Sequence, residues 1–252
     1  MAGDTPRARG RRPPQGEPVL DRAFRLLECF GPANRSLSLA ALSDQSQLPK
    51  ATTLRLARKL VEHGALERTD SGEYVIGLRL LGIASLAPRG HGLRATALPY
   101  LEDLHHATGQ HVLLAVRDGH EAVLVERLSA RGAGRVAYRV GGRMPLPSTG
   151  VGMALLAHAP RPAQDEIVGV NAELRTLLAA VRRDGFAVVS RLKPDPMTSI
   201  AAPILDGHRT TIAALSVVTR SENVDPAALS PAVVAVARAV SRAAATLGTH
   251  VD

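Results

Sequence analysis

The residues best suited to chemistry lie in one run, LPKATTLRLARKLVEHG, from Leu48 to Gly64. It carries the cations Lys50, Arg55, Arg58 and Lys59, and no acidic residue occurs between Asp44 and Glu62. Thr53, Leu56, Ala57 and Leu60 recur at helical spacing and form an apolar stripe. At about 100° per residue the opposite face presents Ala51, Leu54, Arg55 and Arg58, with Lys50 and Thr52 at its N-terminal edge. Arginine and lysine neutralise phosphates, arginine also reads base edges, and Ala51 and Leu54 suit thymine methyl groups. A lone basic face is more often solvated surface, and Leu54 would equally suit an interface with another helix. The flanking elements decide between these readings.

VLDRAFRLLECF repeats Ala23, Leu26, Leu27 and Phe30 at helical spacing and stops at Gly31-Pro32. Ser38 is placed to cap a second helix, SLAALSDQSQ. The link Gln45-Ser46-Gln47-Leu48 leads into the basic helix, which Gly64 closes. ALERT and EYVIG read as short strands joined by Asp70-Ser71-Gly72. Three helices and a hairpin predict a winged helix-turn-helix over residues 18–77, the second helix bracing the third against double-stranded DNA. Arg68 and Arg79, near the wing, are placed to neutralise phosphates. Residues 1–17 hold Pro, Gly and Arg with almost nothing apolar. They read as a disordered basic arm whose Arg7, Arg9, Arg11 and Arg12 either enter a minor groove or stay in solvent.

Residues 78–91, LRLLGIASLAPRGH, read as a linker helix ending near Pro88. Residues 92–252 form the second domain. A helix closed by Gly109 precedes two strands around Asp118-Gly119 and a third strand-like run, GRVAYRV. Helices follow at about 150–158 and 173–184, then the strands FAVVS, TSIAAPIL and TTIAALSVVT, the last two flanking Asp206-Gly207-His208-Arg209. Ser230-Pro231 is placed to open a final helix with Val233, Ala237, Val240, Ala244 and Leu247 on one face and Gly248 at its end. The second domain is therefore α/β with a largely antiparallel sheet, and the chain as a whole α+β.

Composition narrows the function. The chain has 252 residues, 45% of them hydrophobic, enough for two cores. Its net charge of +8 and pI of about 10.6 favour a polyanionic partner. Cys29 is the sole cysteine, which excludes intrachain disulfides and cysteine zinc sites. The N-terminus lacks an apolar signal core, and no uninterrupted apolar run of roughly 18 residues occurs, so the expectation is a cytoplasmic protein with no membrane partner. Ser148, His158 and Asp165 can be written as a hydrolase triad, but no Gly-x-Ser-x-Gly elbow, His-Glu-x-x-His pair or P-loop accompanies them. The adjacent His105 and His106 diverge around a helix, so no metal is expected, and nothing calls for a cofactor. An RNA-binding protein is the other alternative. Three Phe, three Tyr and no Trp give it no stacking platform.

From about Val19 to Leu247 the chain resembles the IclR family of bacterial transcriptional regulators. The resemblance is carried in order by VLDRAFRLLECF, LSLAALSDQSQLPKATTLRL, SGEYVIGLRLLGIA, LPYLEDLHHATGQHVLLAVRDGHEAVLVERL, GGRMPLPSTGVGMALLA, RRDGFAVV and SIAAPILDGHRTTIAALSV. It implies a winged-helix domain joined by a linker helix to a GAF-like effector domain that binds small organic molecules, commonly organic acids. It also implies a homodimer or homotetramer paired through the N-terminal domain and linker. For the effector it points to Ser148, Thr149, Gly150, Val151 and Gly152, and across the sheet to Ser199, Ile200 and Ala201. Arg139 or Arg143 is placed to complete a carboxylate site. A bulky side chain at Gly150 is then expected to block the ligand alone.

Several positions depart from the family pattern. Ala51 and Leu54 stand where a Ser and a His are common, so sequence preference does not transfer. Pro147 and Met153 replace a His and a Lys, Ser199 replaces a frequent Cys, and RLKPDP replaces an acidic stretch. These changes remove polar groups from the expected pocket, so either its ligand is more apolar or the pocket has lost its ligand.

Overall fold

The computed structural model describes residues 17–192 and 195–247; Arg7, Arg9, Arg11, Arg12 and Gly248 lie outside the described residues. The chain divides between Ser85 and Leu86 into two compact units.

In the first unit, helices α1 (Val19–Glu28), α2 (Leu39–Ser46) and α3 (Lys50–Glu62) precede strands β1 (Leu66–Arg68) and β2 (Tyr74–Ile76) and helix α4 (Leu78–Ala84). Leu26, Leu42, Leu56, Ala57, Leu66 and Tyr74 are buried together. The Ser38 hydroxyl accepts the Ala41 N–H at 3.2 Å, which starts α2 as its cap. The link to α3 is shorter than expected, Gln47-Leu48-Pro49, because α2 runs on through Ser46. Gln47 takes the left-handed conformation (φ 55°) and its Nε2 donates to the Asp44 carbonyl at 2.6 Å. Buried Leu48 anchors this turn, its carbonyl accepting from Ser43 Oγ at 2.7 Å and Thr53 Oγ1 at 3.3 Å. β1 and β2 pair antiparallel, and a bridge from Leu37 to Tyr74 ties them to the loop before α2. The helix expected over 78–91 stops at Ala84. Ala87 is extended, as a residue before proline prefers, and a new helical turn starts at Pro88.

The second unit comprises α5 (Leu93–Thr108), β3 (His111–Asp118), β4 (Glu121–Leu128), β5 (Arg143–Pro145), α6 (Gly150–Ala157), α7 (Arg161–Val168), α8 (Ala172–Asp184), β6 (Ala187–Arg191), β7 (Met197–Leu205), β8 (Thr211–Arg220) and α9 (Pro226–Leu247). The six strands form one antiparallel sheet, ordered β5-β4-β3-β8-β7-β6. Alternation along the strands gives it two apolar faces. Val112, Leu114, Ile200, Leu215 and Val217 pack with Leu101 of α5 and Val233, Ala237 and Val240 of α9. Leu113, Ala115, Ala201 and Ala214 pack with α6, Val168 of α7 and Leu178 of α8 on the other.

Three expectations need correction. GRVAYRV is not a strand: Gly134 turns the chain at φ +92°, the run stays irregular, and the edge strand is Arg143–Pro145, paired with β4. α9 begins at Pro226 rather than at Ser230-Pro231, with Asp225 Oδ1 accepting the Ala227 N–H at 2.9 Å, so Pro231 sits inside the helix. α7 was not anticipated. By length and composition α9 could cross a membrane, with mean hydropathy 1.3 over Pro226–Ala245. It instead lays Val233, Ala237 and Val240 on the sheet and turns Arg238 and Arg242 outward.

Candidate DNA-binding face and effector cavity

The buried stripe Thr53, Leu56 and Ala57 fixes the roll of α3 and leaves Lys50, Ala51, Arg55 and Arg58 exposed, with Thr52 half-buried. Among the described residues, the side chains of Lys50, Arg55 and Arg58 make no hydrogen bond or ion pair. Glu62, the acidic residue on this helix, is held by Lys59 at 2.6 Å, and that hydrogen bond pulls its carboxyl below the ordinary value. Leu54 is half-buried at the side of the face, where it borders a shallow groove with Leu39, Val61, Arg68 and Tyr74. Arg68 is committed to the wing: Nε donates to the Gly72 carbonyl at 3.0 Å and the guanidinium lies 5.8 Å from the Tyr74 ring centre. Arg79 Nη1 donates to the His63 carbonyl at 3.1 Å, so this cation caps the C-terminus of α3.

In the second unit, Ser148, Thr149, Gly150 and Val151 at the start of α6 and Ser199 of β7 line one cavity of about 80 Å³. Its walls are Leu113, Met144, Val189, Met197 and Val218, and its roof is Val136, Ala137 and Tyr138. Thr149 opens the helix as a cap, accepting the Gly152 N–H at 3.2 Å and donating to the Pro145 carbonyl at 2.8 Å. The glycines serve packing: a Cβ on Gly152 would lie 2.4 Å from the Leu146 carbonyl oxygen, inside the helix seat and away from the cavity.

Other expected residues fall elsewhere. Ile200 points to the opposite sheet face among the α5 and α9 contacts, because adjacent strand residues alternate. Ala201 shares the face of Ser199 but belongs to the core. Arg143 is exposed and paired with Asp118 at 2.8 Å and Glu121 at 3.3 Å, which raise its already high pKa. Arg139 is exposed in the loop. Neither arginine lines the cavity; Arg191 of β6 does. Sequence reasoning passed over it, although the two-residue period through Ala187 and Val189 places Arg191 on the cavity side, opposite Met197.

Side chains from the sheet hold the roof by its carbonyls. His111 Nε2 donates to Gly134 at 3.0 Å, Arg127 Nη1 to Tyr138 at 2.8 Å, and Arg191 Nη2 to Arg135 at 2.7 Å. The His111 Nδ1 accepts the Ala130 N–H at 3.1 Å, so the imidazole is neutral. Burial pushes its pKa down, and Arg127 adds to the effect.

A roomier open recess of about 610 Å³ lies at the far end of α6, bordered by His158, Arg161, Asp165 and Arg175. Size does not make it the better site. Gln164 Nε2 and Arg182 Nη1 both donate there to the Ala157 carbonyl, at 3.2 Å and 3.0 Å, and serve to end the helix. Among the described residues no group of three His, Cys, Asp or Glu side chains is placed to hold a metal.

Comparison with known proteins identifies the family of both units. Residues 19–70 match the IclR helix-turn-helix domain and residues 87–244 the C-terminal domain of bacterial IclR transcriptional regulators. The transcriptional repressor IclR of Escherichia coli is 28% identical over 240 residues, covering 86% of this chain and 88% of that protein. The glycerol operon regulatory protein of Streptomyces coelicolor is 28% identical over 237 residues, covering 89% and 93%. Among solved structures, an IclR homologue of Microbacterium hydrocarbonoxydans complexed with 4-hydroxybenzoate superposes with a TM-score of 0.80 at 29% identity, covering 91% of this chain and 98% of that one. With a DNA-binding helix-turn-helix unit and a ligand-binding unit both accounted for, the chain belongs to the IclR family of transcriptional regulators.

Proposed function

We propose that this protein is a cytoplasmic repressor that binds its operator as a homodimer or homotetramer and responds to a small organic acid. The observation that carries the DNA reading is the unpaired basic face of α3. Lys50, Thr52, Arg55 and Arg58 make the principal contacts, Ala51 packs among them, and Leu54 and Arg68 meet the DNA at the wing side. Assembly is supported by apolar side chains left in solvent on the first unit: Leu20 and Phe24 of α1 are 68% and 62% exposed, and Leu78 and Leu81 of α4 are 74% and 66% exposed. The repressor reading follows the names of relatives such as the Escherichia coli IclR. Genomic fragments selected by the protein and footprinted should carry inverted half-sites with centres about 34 to 36 Å apart, or a multiple of that. A single protected half-site, with a monomer in sedimentation, would overturn this.

The effector enters the cavity at the start of α6, framed by Ser148, Thr149, Gly150, Val151 and Ser199. The 4-hydroxybenzoate held by the Microbacterium homologue supports an organic acid as the ligand class. An enzymatic role is not part of the reading: Ser148 precedes α6 and His158 follows it, separated by eight helical residues, a rise of about 12 Å. His158 Nδ1 is bonded to the Ala154 carbonyl at 3.1 Å.

A further inference from the structure

An open groove of about 590 Å³ runs beside α9 in the second unit and reaches His158, past the end of α6, whereas the effector cavity lies at the start of that helix. Five arginines line it against two aspartates, and both aspartates are engaged. Asp184 is bonded to Arg183 at 2.8 Å, while Asp206 Oδ1 accepts the His208 and Thr210 N–H groups at 2.9 and 2.8 Å within the turn from β7 to β8. Arg182 gives one donor to the Ala157 carbonyl at 3.0 Å. Among the described residues, the side chains of Arg209, Arg238 and Arg242 make no hydrogen bond or ion pair. Arg238 and Arg242 stand one helical turn apart, a like-charge spacing that costs the helix stability. Arg209 takes φ +61° in the turn, where glycine or asparagine fits with less strain. Three unneutralised cations are thus held together at a cost that a bound anion would offset.

The floor of the groove is apolar, formed by Ala202, Pro203, Leu205 and Val234. It is open because β6 pairs with β7 only as far as Ala201, leaving Ala202 to Leu205 without a strand on that side. Pro203 has no N–H and Ser241 Oγ takes the Leu205 N–H at 2.9 Å, so this edge is closed to an added peptide strand. We infer that the groove is a second ligand site on this unit, taking a small phosphate ester with at least two phosphates and a flat ring, as in a nucleoside polyphosphate. The phosphates meet Arg209, Arg238 and Arg242, whose forks each offer paired donors, and the ring lies on the apolar floor. The volume falls in the range of small-ligand sites, and an apolar floor gives nothing to duplex DNA, whose bases are stacked inside.

The test uses the full chain at fixed low salt, with ATP, AMP, adenosine and tripolyphosphate as probes, read by calorimetry. ATP should bind at least about tenfold more tightly than AMP, and more tightly than tripolyphosphate, which lacks the ring. The double variant Arg238→Gln/Arg242→Gln should lose at least about tenfold in ATP affinity, the scale of one lost charged hydrogen bond, and keep its affinity for the selected genomic fragments. Both side chains are exposed, so its thermal unfolding should stay near wild type. Arg209→Asn, which tolerates the positive φ, should keep or raise stability while weakening ATP, an opposition that a purely structural arginine would not produce. A wild type that binds no ATP, adenosine or tripolyphosphate binding as tightly as ATP, or unchanged ATP affinity in the double variant overturns the inference. A double variant that loses DNA affinity with ATP unmoved assigns the groove to duplex DNA and overturns it too.

Discussion

A methyl group placed on Gly150 would lie 2.2 Å from the Ser199 Oγ and 2.7 Å from its Cβ. Helix α6 thus rests directly on strand β7 through this pair, and every residue of the helix is buried. The contact changes what a substitution there can report. The expectation that a bulky residue at Gly150 would block ligand alone fails, because Gly150→Trp must first lift the helix from the sheet.

Gly150→Ala should therefore destabilise the second unit by about 1 to 3 kcal/mol, the usual cost of overpacking. Ser199→Gly in the same chain should recover part of that loss by removing the opposing atoms. Urea denaturation of the two single variants and the double variant gives the coupling. Strictly additive effects would show that the strain is relieved elsewhere.

On the DNA face, Arg55→Ala and Arg58→Ala should each weaken operator binding by about 1 to 3 kcal/mol if they read bases. Thermal stability should stay near wild type, since neither has a partner to lose among the described residues. Arg68→Ala should behave differently, losing the Gly72 bond and the Tyr74 contact and loosening the wing as well. Binding isotherms at several salt concentrations separate the cases. A variant that weakens all sequences equally and lowers the salt slope by about one contacts phosphate only.

Stability should fall with acid through His111. Its folded pKa lies below the ordinary value of 6.5 because burial disfavours the cation, with Arg127 and His105 pushing in the same direction. The unfolded chain takes up the proton first, so stability is full above about pH 6.5 and declines as pH drops from there towards the depressed folded value. Protonation would also remove the acceptor that Nδ1 offers the Ala130 N–H. Denaturation curves between pH 7.5 and 5 should slope less steeply in His111→Gln. Parallel curves would mean that another group carries the acid sensitivity.

Phe24→Glu or Leu81→Glu should shift the protein towards monomer in sedimentation velocity and weaken operator binding with it. Both side chains stand in solvent, so neither change opens a hole in the core of the first unit. Assemblies of unchanged size in both variants would place the pairing surface elsewhere.

Much of the fold was readable because local signals agreed. The Ser38 cap, the Thr53, Leu56 and Ala57 stripe and the positive-φ glycines at Gly64 and Gly109 each act within a few residues. The failures were of longer range. Arg143 is drawn to Asp118 and Glu121, partners that only strand pairing brings near. The run GRVAYRV has the alternation of a strand, but side chains from three strands take its carbonyls. RPAQDEIV concealed α7 because it offers only Ile167 and Val168 as large apolar residues. Ile200 and Arg191 could have been sorted correctly by carrying the alternation from Ser199 across to β6.

The way the roof is held has one more consequence. His111, Arg127 and Arg191 grip it by main-chain carbonyls, which every amino acid supplies, while Val136, Ala137 and Tyr138 project into the cavity. The side chains that meet a ligand are therefore separable from the bonds that keep the roof in place. A lineage could exchange all three and acquire a new chemical sense without rebuilding the sheet beneath.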